Sequence, residues 1–254
     1  ALELFNEAGA IKALMPELLK MKKCVQPKNY HREGDVWEHT KLCLKETMDK
    51  NFAKEFGEKA NAEVIIATLF HDIAKPLTMT KEKGRIRYLG HSELGADLAK
   101  KIAERLKLSS FKDENIDVDP DRLHALVYYH LLLLSSDPRE MRATTIERHY
   151  LRHELLGREM LMVQYADGAG TIDSKKQKSL GPYRLMKRRI HELLGTRAKK
   201  LPVPLLNGNE IMRLLKIKPG PAVGQIITEL REAQLQKKVT TKQAARDFIK
   251  TLKL

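Results

Sequence analysis

The sequence predicts an all-α fold, and three observations carry that expectation. Most of the 254 residues fall in segments whose apolar side chains recur at i, i+3 and i+4, the spacing of one helical face. Alternating Val/Ile/Thr runs, the mark of half-buried strands, are nearly absent. With 42% hydrophobic and 31% charged residues, the chain can close a core and does not have the composition of a disordered one.

The elements follow in order. Residues 1–21, "ALELFNEAGAIKALMPELLKM", read as two short helices hinged at Gly9 or Pro16. "DVWEHTKLCLKETMD" places Val36, Leu42 and Leu44 near one helical stripe, with Trp37 assigned to the core. "NAEVIIATLFHDIA" is a helix apolar enough to be buried. "MTKEKGRIRYLG" is the one hairpin candidate, turning at Lys83-Gly84. "GHSELGADLAKKIAERLKL" opens an amphipathic helix with capping residues at Ser92 and Glu93. "DPDRLHALVYYHLLLL" starts with Pro120 in a first helical turn. "ATTIERHYLRHELLGREMLMVQYADGAG" is a long helical pattern expected to break at Gly168. Residues 174–200 then carry ten Lys/Arg against one Glu and lead into the proline-containing linker "LPVPLL". A domain boundary is expected near residue 200, giving domains 1–200 and 201–254. The second reads as helix, Gly/Pro turn, helix and a last helix capped at Thr240 or Thr241.

Composition narrows the function classes. A net charge of +14 favours a polyanionic partner such as RNA, DNA or nucleotides. No run approaches the ~18 apolar residues of a membrane span, and no signal-peptide pattern opens the sequence. Two cysteines, Cys24 and Cys43, are too few for a disulfide framework, so a reduced, cytoplasmic setting is expected.

The informative residues are histidines and aspartates in apolar helices. His39, the adjacent His71-Asp72, His91, His130 and Asp167 each sit in or at the edge of such a segment. An unpaired imidazole or carboxylate there is costly to bury. Any one of them alone would be a satisfied core or cap group. Five such segments together point to a shared divalent metal, for which neutral imidazoles and carboxylates are natural ligands. The His-Asp pair can flank one ion or hold one of two.

His39, His71-Asp72 and Asp167 form the H…HD…D pattern. Around them stand "YHREGDVWEHT", "TLFHDIAKP", "LGHSELGA" and "YADG", in that order. In this the chain resembles the HD superfamily of metal-dependent phosphohydrolases. It looks like the HD domain in the C-terminal part of bacterial tRNA nucleotidyltransferases, the CCA-adding enzymes and their poly(A) polymerase relatives. The tail "PLLNGNEIMRLLKIKPGPAVGQIITELREAQL" resembles the same enzymes. The resemblance implies His39, His71, Asp72 and Asp167 as core metal ligands. It adds His91 and His130 for a second ion or a substrate phosphate. Lys75, with Asp72, is implied in catalysis, its ammonium reaching a phosphate oxygen, and His31 is a candidate substrate contact. The implied activity is metal-assisted hydrolysis of nucleotide phosphomonoesters or 2′,3′-cyclic phosphodiesters, with Mn, Ni, Co, Fe or Zn as cofactor and Mg as a further candidate. The alternative is an RNA-binding module for tRNA or an RNA 3′ end, with a structural or vestigial metal site. Lys175, Lys176, Lys187, Arg188 and Arg189 are its candidate contacts, with Tyr183 as a stacking ring. The Gly-Ser turn and paired carboxylates of a nucleotidyltransferase head do not occur, so this chain alone is not expected to add nucleotides.

Other histidines carry plainer readings. His149 and His153 are expected on a solvent-facing helix surface. His124 is read as structural, and His191 as a phosphate contact or surface residue.

Overall fold

The computed structural model describes residues 2–110, 118–195 and 201–252. Among the described residues the fold is all-α apart from one short hairpin. Helices α1 (Leu2–Glu7) and α2 (Ala10–Leu14) are separated at Gly9, whose φ of 77° suits glycine, and Pro16 opens a 3₁₀ turn. Helix α3 (Val36–Thr47) begins where the Asp35 carboxylate accepts the Glu38 N–H. Helices α4 (Lys50–Phe56), α5 (Ala62–Phe70) and the short α6 (Lys75–Thr78) follow. Strands β1 (Met79–Glu82) and β2 (Arg85–Tyr88) pair antiparallel from Met79↔Tyr88 to Glu82↔Arg85. Their two-residue turn holds Lys83 and Gly84 at φ 47° and 75°, the left-handed pair that a tight hairpin requires. Helices α7 (His91–Arg105), α8 (Pro120–Tyr128), α9 (Leu132–Ser135), α10 (Ala143–Ile146), α11 (Glu154–Gly170) and α12 (Gly181–Leu194) come next. The tail contributes α13 (Gly208–Leu215), α14 (Pro221–Leu235) and α15 (Lys242–Thr251). Among the described residues no helix is long and apolar enough to cross a membrane.

The chain packs as two compact units, residues 1–137 with 154–184, and 138–153 with 185–254. In the first, α3, α5, α8 and α11 pack on one another, with α7 against α8. The Arg122 guanidinium on α8 ties three of these helices together. It lies 2.7 Å from Glu63 on α5 and 3.4 Å from Glu159 on α11, both carboxylates buried. Asn61 caps α5 with its oxygen and donates from its amide to Glu159. In the second unit, Leu206, Ile211, Ile226, Leu230 and Ile249 form a separate core. The Glu232 carboxylate on α14 caps α10, accepting the Ala143 and Thr144 N–H groups at 2.9 and 2.8 Å. Arg231 grips Glu147 bidentately. These bonds hold residues 138–153 with the tail.

Local details differ from the sequence reading for physical reasons. The α3 stripe that is buried is Val36, His39, Thr40, Cys43 and Thr47, while Leu42 and Leu44 are only half-buried. Helix α11 runs through Gly168 to Gly170, and the preceding break falls at Arg152-His153 after a π turn closed by the Arg152 N–H on Glu147. That π turn also removes His149 and His153 from a common α-helical face. Helix α7 is capped by Gly90 at φ 75° with no side-chain cap, so Ser92 and Glu93 lie inside it. Of the two candidate threonines, Thr241 caps α15. Tyr183 is no stacking platform: it is buried among Phe56 and Tyr165 and donates its hydroxyl to Glu55.

Candidate metal centre

The site lies in the first unit, where the ends of its helices converge. His39 comes from the first turn of α3. His71 and Asp72 lie just past the C-terminus of α5, His91 opens α7, His130 follows α8, and Asp167 sits in the last turn of α11. All six are buried.

Each imidazole is held by its Nδ1. His71, His91 and His130 donate Nδ1–H to the main-chain oxygens of Thr68, Tyr88 and Val127 at 2.8, 2.6 and 2.6 Å. His39 donates Nδ1–H to the Glu33 carboxylate at 2.9 Å. Carbonyls and carboxylates only accept, so in the neutral rings all four Nε2 atoms carry bare lone pairs. These lone pairs point at one another and at carboxylates. His39 Nε2 and His71 Nε2 are 3.2 Å apart, with no proton between two neutral rings. Asp167 Oδ1 lies 3.1 Å from His39 Nε2 and 3.8 Å from His71 Nε2. Asp72 Oδ2 lies 3.2 Å from His71 Nε2, and its Oδ1 faces His91 and His130 at 3.5 and 3.7 Å. The Nε2 atoms of His91 and His130 are buried without a hydrogen-bond partner.

Such a nest of lone pairs and anions is unfavourable unless a cation occupies its centre. Ligands bonded to one ion at about 2.0–2.3 Å stand on the order of 3–4 Å apart, which is the spacing observed. The donor set therefore fits a divalent metal. It divides into a first cluster of His39, Cys43, His71 and Asp167, and a second of Asp72, His91 and His130. Asp72 reaches both through its two oxygens.

Charges within the site follow from the same contacts. Burial works against ionising Asp72, but His71, Lys75 and His130 hold it well below the usual carboxylate range. Burial also opposes ionising Asp167, and the His39 hydrogen bond outweighs it. His130 is driven down by burial, which favours the neutral ring that ligates metals. Burial also opposes charge on His39, yet Cys43, Asp167 and Glu33 draw its pKa well up. A proton and a metal ion thus compete for one anionic hollow.

A pocket of about 390 Å³ opens onto the site. Its polar wall includes His31, Asp72, Lys75, His91, His130 and Asp167, and its apolar wall Leu131, Leu133, Leu134 and Pro182. Lys75 Nζ sits 2.7 Å from Asp72 Oδ2 and donates to Gln26 at 2.9 Å, beneath the Tyr88 ring. His31 is bonded to Glu33 at 2.7 Å, with its ring edge-on to His39.

The basic candidates are elsewhere. Lys175 and Lys176 are exposed on the turn after α11, and Lys187 and Arg188 are exposed on α12. Arg189 is half-buried and bonded to the carbonyls of Pro138 and Met141, which makes it a structural residue. His191 is exposed, and His124 bonds Asp97 while stacking on Tyr128.

Three residues escaped the sequence reading. Glu33 accepts from His31, His39 and the Ile172 N–H at once. Its only signal was its place between His31 and Asp35. Cys43, four residues after His39, and Gln26, the partner of Lys75, carried no motif.

The chain is similar to known proteins. The CC-adding tRNA nucleotidyltransferase of Thermus thermophilus is 32% identical over 252 residues, 98% of this chain and 51% of that protein. The A-adding tRNA nucleotidyltransferase of Deinococcus radiodurans is 31% identical, across 95% of this chain and 51% of its own. The multifunctional CCA protein of Halorhodospira halophila is 35% identical over 106 residues, 42% of this chain and 23% of its own. The chain spans about half the length of the first two. A family model, the HD domain, matches residues 40–167, half of the chain, from just past His39 to Asp167. With that match over the helices that carry the site, the chain belongs to the HD-domain family.

Proposed function

We propose that this chain is a divalent-metal-dependent phosphohydrolase acting on nucleotide phosphomonoesters or 2′,3′-cyclic phosphodiesters. The observation that carries this reading is the convergence of four Nε2 lone pairs and two carboxylates at the head of a pocket that also presents Lys75. His39, His71, Asp72 and Asp167 would hold one ion, with Asp72, His91 and His130 available for a second. When bound, the metal supplies Lewis-acid polarisation of the phosphoryl group and acidifies the attacking water. Lys75 balances charge that builds on the phosphoryl oxygens, and Asp72, through its contact with Lys75, holds that ammonium in place. Glu33 fixes the ring plane and tautomer of His39. The leucine wall excludes water and gives a nucleoside an apolar surface to lie on.

The test is hydrolysis of 2′,3′-cyclic AMP and of mononucleotides across Mg, Mn, Co and Ni, with Asp72→Ala as control. Metal-dependent turnover abolished in the control is expected. Equal turnover in the control would refute the mechanism.

A second reading, tRNA binding, has its own observation. The second unit holds twenty Lys/Arg against seven Asp/Glu, whereas the first is nearly balanced at 27 against 26. The excess positive charge is thus confined to the unit without the metal centre, and the relatives' names refer to tRNA. Binding of a tRNA acceptor stem should weaken steeply with salt, and mononucleotide hydrolysis should not.

A further inference from the structure

Cys43 lies one helical turn after His39 on α3, on the same face, and is fully buried. Its Sγ is 3.4 Å from His39 Nε2 and 3.9 Å from Nδ1, so it stands nearer the nitrogen that faces the site. Sγ also lies within 4.8 Å of donor atoms of His71 and Asp167. The acceptor within reach of the thiol proton is the bare lone pair of His39 Nε2, at 3.4 Å. The main-chain oxygen of Asp167 is farther, at 3.9 Å, and already receives the Thr171 N–H and hydroxyl, each at 2.9 Å. With neutral rings, the donors His39 and His71 face each other with no hydrogen between them. One thiol proton cannot satisfy the lone pairs of both His39 and His71, whereas a cation held by His39, His71, Asp167 and the sulfur would satisfy them together.

We infer that Cys43 is a metal ligand, joining His39, His71 and Asp167 as a thiolate donor in the first cluster. The inference rests on reading this cluster as a metal centre. On ligation the S–H bond breaks, the sulfur keeps the electron pair it shares with the ion, and one proton leaves to solvent. The two clusters then differ in chemistry. The first, with sulfur, selects thiophilic ions such as Zn(II), Co(II) or Fe(II), and the second, with only nitrogen and oxygen donors, also accepts harder ions such as Mn(II). The competing explanation is packing. A Cβ at Gly170 would meet Cys43 Sγ at 2.5 Å, so α3 and α11 cross here with room for only small groups. Alanine would serve packing as well as cysteine does, and it cannot bind a metal.

The experiment is cobalt(II) titration of the metal-free chain, read by absorption, for wild type, Cys43→Ser, Cys43→Ala and Cys24→Ser. Wild type and Cys24→Ser should show a sulfur-to-cobalt charge-transfer band in the near ultraviolet. Both Cys43 variants should lose that band while keeping weaker visible d–d bands from cobalt on the remaining donors. Zn(II) affinity should fall at least about tenfold in the Cys43 variants, the low end of what losing an outer partner costs, with Mn(II) affinity changing less. Cobalt binding to folded wild type without the ultraviolet band would overturn the assignment of Cys43 and leave the metal centre standing. No cobalt binding at all would overturn both.

Discussion

Replacing Glu33 by Gln removes one charge at the centre of three hydrogen bonds and leaves side-chain volume nearly unchanged. Glu33 Oε1 accepts from His31 and His39 at 2.7 and 2.9 Å, and Oε2 accepts the Ile172 N–H at 2.9 Å. Its side chain is fully buried. A glutamine can point its oxygen at the two imidazoles or at the Ile172 N–H, but its amide hydrogens must then face donors on the other side. One buried group goes unsatisfied, a penalty of about 1–3 kcal/mol. The same change weakens the carboxylate that orients His39 and raises its basicity. Outer partners of ligating histidines are worth roughly 10–100-fold in metal affinity. Competition for Zn(II) against a chromophoric chelator reads that loss directly. Thermal melting reads the first, at about 2–4 °C per kcal/mol for a chain of this size. A Glu33→Gln variant whose Zn(II) affinity stays within about threefold of wild type would refute the reasoning, because it would put His39 outside the metal's reach.

Further expectations follow from other contacts. Gly170→Ala places a Cβ 2.5 Å from Cys43 Sγ and 2.8 Å from its main-chain nitrogen, so α3 and α11 must part. Overpacking of this kind costs about 1–3 kcal/mol, and an unchanged melting temperature would contradict the close approach. His130→Ala removes one donor of the second cluster, so metal stoichiometry by elemental analysis should drop while first-cluster binding persists; unchanged stoichiometry would show that this cluster holds no ion. Glu33 also predicts an acid limb. Burial pushes its pKa up, but the His31, His39 and Ile172 hydrogen bonds bring it down from 4.5 to about 2. The folded state thus binds this proton more weakly than the unfolded chain. Its stabilisation is complete above about pH 4.5 and is lost as pH falls through about 2. Denaturation between those values should be shallower in Glu33→Gln, and an unaltered limb would place the acid sensitivity elsewhere.

The sequence was most legible where chemistry and burial conflict. His71-Asp72 at the end of an apolar helix, His130 in a run of leucines and Asp167 behind a helix of methionines all announced a buried polar centre, and the structure brings them together. The hairpin at Lys83-Gly84 was equally plain, because left-handed turn residues are local information. Glu33 and Gln26 were not legible, since a loop carboxylate or amide has no periodicity to reveal what it will face. Gly168 misleads because glycine is a poor helix former. In this helix it serves instead where a Cβ would meet the Ser179 oxygen at 2.7 Å. Residues 138–153 join the tail through Glu232 and Arg231, partners more than eighty residues away, and no local signal carries such a pairing.

The most direct test of the central claim is calorimetric titration of Mn(II) into the metal-free chain and into Asp72→Ala. Asp72 turns one oxygen toward His71 and the other toward His91 and His130. Binding to the wild-type chain that is lost or severely weakened in Asp72→Ala is the predicted result. Equal binding by the two proteins, or none by a folded wild-type chain, would contradict a metal centre built on these side chains.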